Sequence, residues 1–286
     1  MPPCDDLVLG APAVAIPRSA SRVLCGSDGQ SYVLHLAWPS EPPPAVGYPV
    51  IYALDGNAVF GTMVETIRLR SRRADATGVV PAVVVGIGYE IDGPYDRERR
   101  ARDYTPERAG GADVFRRFIE HDVKPAVQAS LPIDPMRQTL FGHSLAGLFV
   151  LHTLLVTPRA FETYIAVSPS IWCDRSGLAA AIDDVESDAG QPLRDARVML
   201  TVGEYEQVLA PWQSGDEAED IARRRRERRM VDDARDLSVR LAGLVRHAAF
   251  DLFAGEDHAS TVTVSISRSV RFCLDPRRVA ASDAPR

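Results

Sequence analysis

The chain has 286 residues, 45% of them apolar, and a formal net charge of −6. That composition suits a globular protein with a sizeable core, and the acidic balance argues against general nucleic-acid binding. No apolar run approaches the roughly 20 residues of a membrane span, and no repeat or low-complexity linker divides the chain, so a single domain over 1–286 is expected.

Asp5 and Asp6 precede Leu7-Val8-Leu9, where a leader peptide would carry basic residues, and Pro12 and Pro17 follow. Residues 1–20 therefore read as irregular. The cytoplasm is the expected location, or the periplasm if a leader has been removed. Residues 31–38 read as an early strand ended by Glu41-Pro42-Pro43-Pro44. Residues 49–54 form a fully apolar strand that stops at Asp55-Gly56-Asn57, and a helix is expected over 59–69. Residues 79–88 are a second apolar strand. Near-continuous apolar strands separated by helices imply an α/β fold, a mostly parallel central sheet with helices on both faces.

Residues 92–108 are polar and arginine-rich without a clear period, and read as a long functional loop. Over 113–128 the apolar spacing predicts an amphipathic helix with Pro125 as a kink point. A strand over 139–141, a helix over 145–156, and strands over 164–167 and 197–202 follow. A long helix is expected over 216–247. It carries Arg223-Arg224-Arg225-Arg226-Glu227-Arg228-Arg229. That run could bind anions. Acids at the right spacing (Glu219–Arg223, Asp220–Arg224, Arg228–Asp232, Arg229–Asp233) favour a solvated face laced by i,i+4 pairs. A last strand covers 248–253, a closing helix or extended segment 260–273, and a tail 274–286. Cys4, Cys25, Cys173 and Cys273 lack C-x-x-C or metal spacing and read as free thiols, so no metal site is expected.

The chemistry centres on Gly142-His143-Ser144-Leu145-Ala146-Gly147. An apolar strand runs into it and a small-residue helix start follows, the layout of a nucleophile elbow. Gly142 fits the close strand-to-helix approach; Ala146 departs from G-x-S-x-G. A serine nucleophile needs a base in hydrogen-bond reach and an orienting acid. His258, in the loop after the last strand, fits the base better than His35, His121, His143, His152 or His247. Glu206, three residues past Gly203, is the first choice of acid, with Glu204 and Asp174 as alternatives. The backbone N–H of Leu145, with that of Gly56 or Asn57, would make an oxyanion hole.

Tyr48-Pro49-Val50-Ile51-Tyr52-Ala53-Leu54-Asp55-Gly56-Asn57, Asp103-Tyr104-Thr105-Pro106, Gly142-His143-Ser144, Ser168-Pro169-Ser170 and Asp257-His258 together resemble the esterase-D-like branch of the α/β-hydrolases. Within it they are most similar to esterases of trilactone siderophores such as enterobactin, salmochelin and bacillibactin. The resemblance spans about residues 32–271. It implies an α/β-hydrolase fold and a serine esterase without metal or organic cofactor, with Ser144 as nucleophile and His258 as base. Some members work with a Ser–His dyad, so the resemblance does not itself supply Glu206. It places Arg100 near the active site and an anionic substrate, and the surrounding Arg97, Arg99 and Arg102 make a basic loop; Arg102 and Trp172 are further candidate substrate contacts. The expected partner is a small ester, a ferric catecholate siderophore, with no nucleic acid or membrane involved. Two other readings stay open: a general carboxylesterase or acyl-thioesterase for small neutral esters, and a non-catalytic siderophore binder that has kept the fold. The oligomeric state is not legible.

Overall fold

The structure, a computed structural model, describes residues 14–106, 111–188 and 191–275. Two antiparallel strands, β1 (Ser19–Cys25) and β2 (Ser31–Ala37), open it. β3 (Tyr48–Leu54) is buried at every position and leads into α1 (Gly56–Ser71). A single turn, α2 (Ala74–Thr77), precedes β4 (Val83–Gly88), again wholly buried. Then come α3 (Arg97–Asp103), α4 (Gly111–Phe118), a π-helical segment (Ile119–Val123) and α5 (Lys124–Ser130). β5 (Ile133–His143), α6 (Leu145–Val156), β6 (Thr163–Val167), α7 (Arg175–Ser187) and β7 (Arg197–Gly203) alternate regularly. α8 (Ala218–Arg228), α9 (Met230–Ala242), β8 (His247–Phe253) and α10 (Thr261–Leu274) complete the chain.

All eight strands join one sheet in the order β1-β2-β4-β3-β5-β6-β7-β8, parallel from β4 to β8. Strand alternation divides the core. Ile51, Val84, Phe141, Ile165 and Met199 face α1 and α10. Tyr52, Leu140, Tyr164, Val198 and Leu200 face the layer that includes α4, α6 and α9. Both faces are thus covered, as the apolar strands require.

Several expectations are corrected. β1 begins inside the stretch expected to be irregular; residues 1–13, with Cys4, Asp5, Asp6 and the apolar triplet after them, lie outside the described residues. So do residues 276–286 of the expected tail and residues 107 and 108 of the expected loop. That loop holds α3, whose N-cap Asp96 accepts from the Arg99 N–H. The 113–128 helix is interrupted by the π segment just ahead of Pro125, which has no N–H to give to a preceding turn. The long helix over 216–247 is two helices, parted where Arg229 takes a left-handed conformation (φ 49°), and His247 already belongs to β8. The closing segment is helical, and α10 (Thr261–Leu274) takes in the first residue of the expected tail. Cys25, Cys173 and Cys273 are free thiols. No described helix is long and apolar enough to cross a membrane.

Candidate active site

β5 ends at His143, α6 begins at Leu145, and Ser144 makes the turn between them with φ 62° and ψ −117°. A residue with a side chain is strained there, which is how an elbow lifts a hydroxyl out of the sheet. The turn is held by the Ser144 N–H donating to Val167 O (2.9 Å). Ser144 O accepts from Leu148 N and Ser170 N, both at 3.0 Å. Gly142 has no substitute: a Cβ there would lie 2.4 Å from Ala146 O. The same close approach explains how Ala146 is accommodated. Its methyl group occupies the side that Gly142 leaves empty, where an added Cβ would stand 3.0 Å from it.

The Ser144 hydroxyl is 3.0 Å from His258 Nε2, and His258 Nδ1 is 2.6 Å from Glu206 Oε2. A carboxylate can only accept, so the imidazole proton sits on Nδ1 and Nε2 is free to receive the serine proton. Glu206 is 5% exposed. It lies in the short 3₁₀ turn after β7, where its Oε1 accepts from Ser168 Oγ (2.6 Å) and Gly203 N (2.7 Å). Three donors converge on this buried carboxylate and fix its orientation toward His258. The alternative acids do other work. Glu204 accepts from Gly255 N (2.8 Å), steadying the loop that carries His258. Asp174 caps α7 through Gly177 N.

His143, next to Ser144, packs behind the His258 ring. Its Nε2–H donates to His258 O (2.9 Å), and the two rings stand 4.6 Å apart. Burial, then the neighbouring His258, pushes its pKa down to about 3, so it is a neutral donor that fixes the His258 backbone. Asp257 sets the same loop, accepting from Ala259 N and Ser260 N.

Leu145, Gly56 and Asn57 all start helices, and the first N–H groups of a helix have no intrahelical acceptor. β3 pairs directly with β5, so α1 and α6 begin side by side at the C-terminal edge of the sheet. The Asn57 side chain is occupied with the loop after β4: it accepts from Tyr89 N and donates to Tyr89 O. Its backbone N–H, not its amide, is therefore the group at issue.

The cleft has two lobes that meet at Ser144, Ser170 and Trp172. One, of about 570 Å³, runs past Arg100, Thr105 and Leu148. The other, of about 380 Å³, lies under α8 and is walled by Tyr205, Arg224, Arg225, Arg228 and His258. Three of the four arginines of the basic loop are engaged by the protein itself. Arg100 borders the larger lobe, but its Nε and Nη2 bind Asp55 bidentately (2.8 and 3.0 Å). Tyr104 OH shares that carboxylate. Burial opposes the Arg100 charge and Asp55 more than restores it, holding the guanidinium above its usual pKa. Arg102 does not border the cleft; it is held by Asp103 (2.7 Å), Gln30 (2.7 Å) and Tyr32. Arg99 lies over the rings of Tyr32 and Tyr89.

The second arginine run is solvated, as expected, but its pairs differ from the expected set and one side of it lines the cleft. Of the four expected i,i+4 pairs, Arg229–Asp233 (3.3 Å) is present; among the described residues the other three are absent. Arg223 turns instead to Asp220 and Glu227, while Arg224, Arg225 and Arg228 face the cleft. Alternation of acids and bases gave no hint of this, because which side of α8 meets the cleft depends on the break at Arg229.

A profile of the family described as Putative esterase matches residues 29–237. The chain belongs to this esterase family. The esterase is 42% identical over 284 residues to the ferri-bacillibactin esterase BesA of Bacillus subtilis, covering 92% of each chain. It is 37% identical to the siderophore triacetylfusarinine C esterase of Aspergillus fumigatus, over 90% of this chain and 93% of that one. Among solved structures it resembles the siderophore hydrolase EstB from Aspergillus nidulans, at 30% identity and TM-score 0.85, covering 96% and 99% of the two chains. The BES protein from Bacillus cereus matches at 34% identity and TM-score 0.79, covering 93% and 98%.

The esterase is accordingly a carboxylic ester hydrolase of the α/β-hydrolase type. Its candidate site holds a hydroxyl on a strained turn beside an imidazole nitrogen, with a buried carboxylate behind the ring, groups that such chemistry uses. Among the described residues no cluster of three or more His, Cys, Asp or Glu could hold a metal ion.

Proposed function

We propose that this esterase opens the ester backbone of a trilactone siderophore and so frees its iron, with Ser144 as nucleophile, His258 as base and Glu206 as the orienting acid. The observation that carries the reading is the hydrogen-bonded chain Ser144–His258–Glu206 at the junction of a two-lobed cleft. The siderophore substrates named for its relatives supply the substrate class.

As Ser144 Oγ attacks an ester carbonyl, His258 Nε2 takes its proton. The carbonyl oxygen becomes an oxyanion held by the N–H of Leu145 and that of Gly56 or Asn57. Each such donor is worth about 2.7–4 kcal/mol in the transition state. Glu206 stabilises the imidazolium without taking its proton. His258 then protonates the leaving alkoxide, the opened backbone stays esterified to Ser144, and water activated by His258 releases it. Arg100 supports this site through Asp55, the residue immediately before α1, and Trp172 offers a flat apolar wall to the substrate at the junction of the lobes.

Chromatography of products after incubation with ferric and metal-free trilactones tests the reading. Linear trimer, or shorter fragments, should accumulate with time and be absent with Ser144→Ala. Turnover of short p-nitrophenyl esters with no cleavage of any trilactone would replace the reading with a general carboxylesterase. Failure to label with a serine-reactive phosphonate would point to a binder without catalysis.

A further inference from the structure

The smaller lobe of the cleft is walled by three arginines of α8, and they are not equivalent. Arg225 is committed to the protein: its Nη1 donates to Val208 O and Gln213 Oε1, both at 2.6 Å, tying α8 to the segment before it. Arg224 is exposed and, among the described residues, has neither a carboxylate nor a hydrogen-bond partner. Arg228, four residues on and so on the same helix face, lies with its guanidinium 4.6 Å over the Trp172 ring and likewise has no carboxylate partner.

The carboxylates that border this lobe are Glu206 and Asp257. Glu206 is taken by His258, Ser168 and Gly203, and Asp257 by the Ala259 and Ser260 N–H groups. Two like charges one helical turn apart repel, yet the end of α8 is fixed where it holds them together. Arg175 Nη2 donates to Glu227 O (2.9 Å) and Arg228 O (2.8 Å), while its Nε binds Asp233 (2.6 Å). Arg229 then turns left-handed and starts α9.

We propose that Arg224 and Arg228, with the Trp172 ring beneath Arg228, form the subsite for the metal–catecholate head of the substrate, and that this subsite makes the esterase favour the metal-loaded ligand over the metal-free one. The inference rests on the siderophore-esterase reading and names which chemical form that site takes. Three catecholates around a trivalent ion carry a net triple negative charge on flat aromatic rings. Planar guanidinium forks match the metal-bound oxygens, and Trp172 matches a ring face. The metal-free catechols keep their protons at neutral pH and offer no charge to read. The lobe under α8 lies beside Ser144, so the head can rest there while an ester reaches the hydroxyl.

The probe is the gallium(III) complex of a hexadentate tris-catecholamide, which has the charge and shape of the head but no ester. Its inhibition constant against p-nitrophenyl acetate hydrolysis is compared with that of the metal-free ligand. The wild-type enzyme should bind the complex more tightly. That preference should fall about tenfold in Arg224→Gln and again in Arg228→Gln, and be largely kept in Arg224→Lys. Arg226→Gln, on the same helix but not bordering the cleft, should leave it unchanged. Equal inhibition by complex and free ligand in the wild type would overturn the proposal, as would an undiminished preference in both Gln variants or an equal loss in Arg226→Gln. A normal preference in an enzyme that cleaves no trilactone would sink the substrate reading alone; trilactone cleavage with no preference would sink the subsite alone.

Discussion

Replacing Glu206 by glutamine changes few atoms and should disable the site by a specific route. Glu206 Oε1 is met by two donors, the Gly203 N–H at 2.7 Å and the Ser168 hydroxyl at 2.6 Å. The backbone N–H cannot turn away, so a glutamine must put its carbonyl oxygen there and aim its NH2 group at His258 Nδ1. Nδ1 then becomes an acceptor, the imidazole proton moves to Nε2, and Nε2 can no longer take the proton of Ser144. An asparagine in place of the triad aspartate of chymotrypsin-type proteases does the same and lowers kcat about 10⁴-fold. Glu206→Gln should therefore lose about 10³- to 10⁴-fold in kcat (about 4–5.5 kcal/mol) with little change in KM. The fold should persist, because both buried donors keep an acceptor. The assay is steady-state hydrolysis of a p-nitrophenyl ester beside thermal melting, with histidine ¹⁵N shifts to read the tautomer. Glu204→Gln, which alters an acceptor of Gly255 N–H only, should be nearly silent. Turnover of Glu206→Gln within threefold of wild type would refute the reasoning and leave a Ser–His dyad.

Ser144→Ala and His258→Ala should each lower kcat by about 10⁴-fold or more, and the double variant should lose no more than either, since the two act as one unit; multiplying losses would separate their roles. Arg100→Ala strips the partner from a carboxylate that is 2% exposed, so it should destabilise the fold by about 3–5 kcal/mol in denaturant titration and depress charged and neutral substrates alike. A stable variant with a loss confined to anionic substrates would make Arg100 a substrate cation after all. His143 has its pKa held near 3 in the folded enzyme against 6.5 for a free histidine. The unfolded chain gains that proton as pH falls below about 6.5 while the folded one does not, so stability drops toward acid and is unaffected above. By pH 5 the loss from this residue is about 2 kcal/mol. His143→Gln should lose correspondingly less between pH 7 and pH 5, and equal slopes in the two proteins would show that His143 protonates without unfolding.

The apolar runs of β3, β4 and β7 read as buried strands because nothing else accommodates such stretches, and Gly142-His143-Ser144 marked the turn since a side chain at 142 has nowhere to go. His258 and Glu206 were legible from their places just after the last two strands. What escaped depends on tertiary position. α3 has no apolar stripe; it is anchored by the Asp96 cap and by arginines packed over tyrosine rings and paired with buried acids, contacts to residues distant in the chain. β1 is an exposed edge strand with little alternation, defined by its pairing with β2. The break at Arg229 uses a left-handed residue that is not glycine, held by Arg175 from another helix. Without that break, the spacing of Arg224 and Arg228 suits a solvated face as well as a cleft wall, and charge alternation cannot choose between them.

The central claim is that Ser144 carries the substrate's acyl group while a siderophore ester is opened. Acid quenching of the enzyme during turnover of a ferric catecholate trilactone, followed by peptide mapping by mass spectrometry, tests it directly. The peptide that contains Ser144 should gain the mass of the ring-opened siderophore in the wild-type enzyme and remain unmodified in His258→Ala. Turnover without any adduct on that peptide in a time-resolved quench, or an adduct on another residue, would contradict the account.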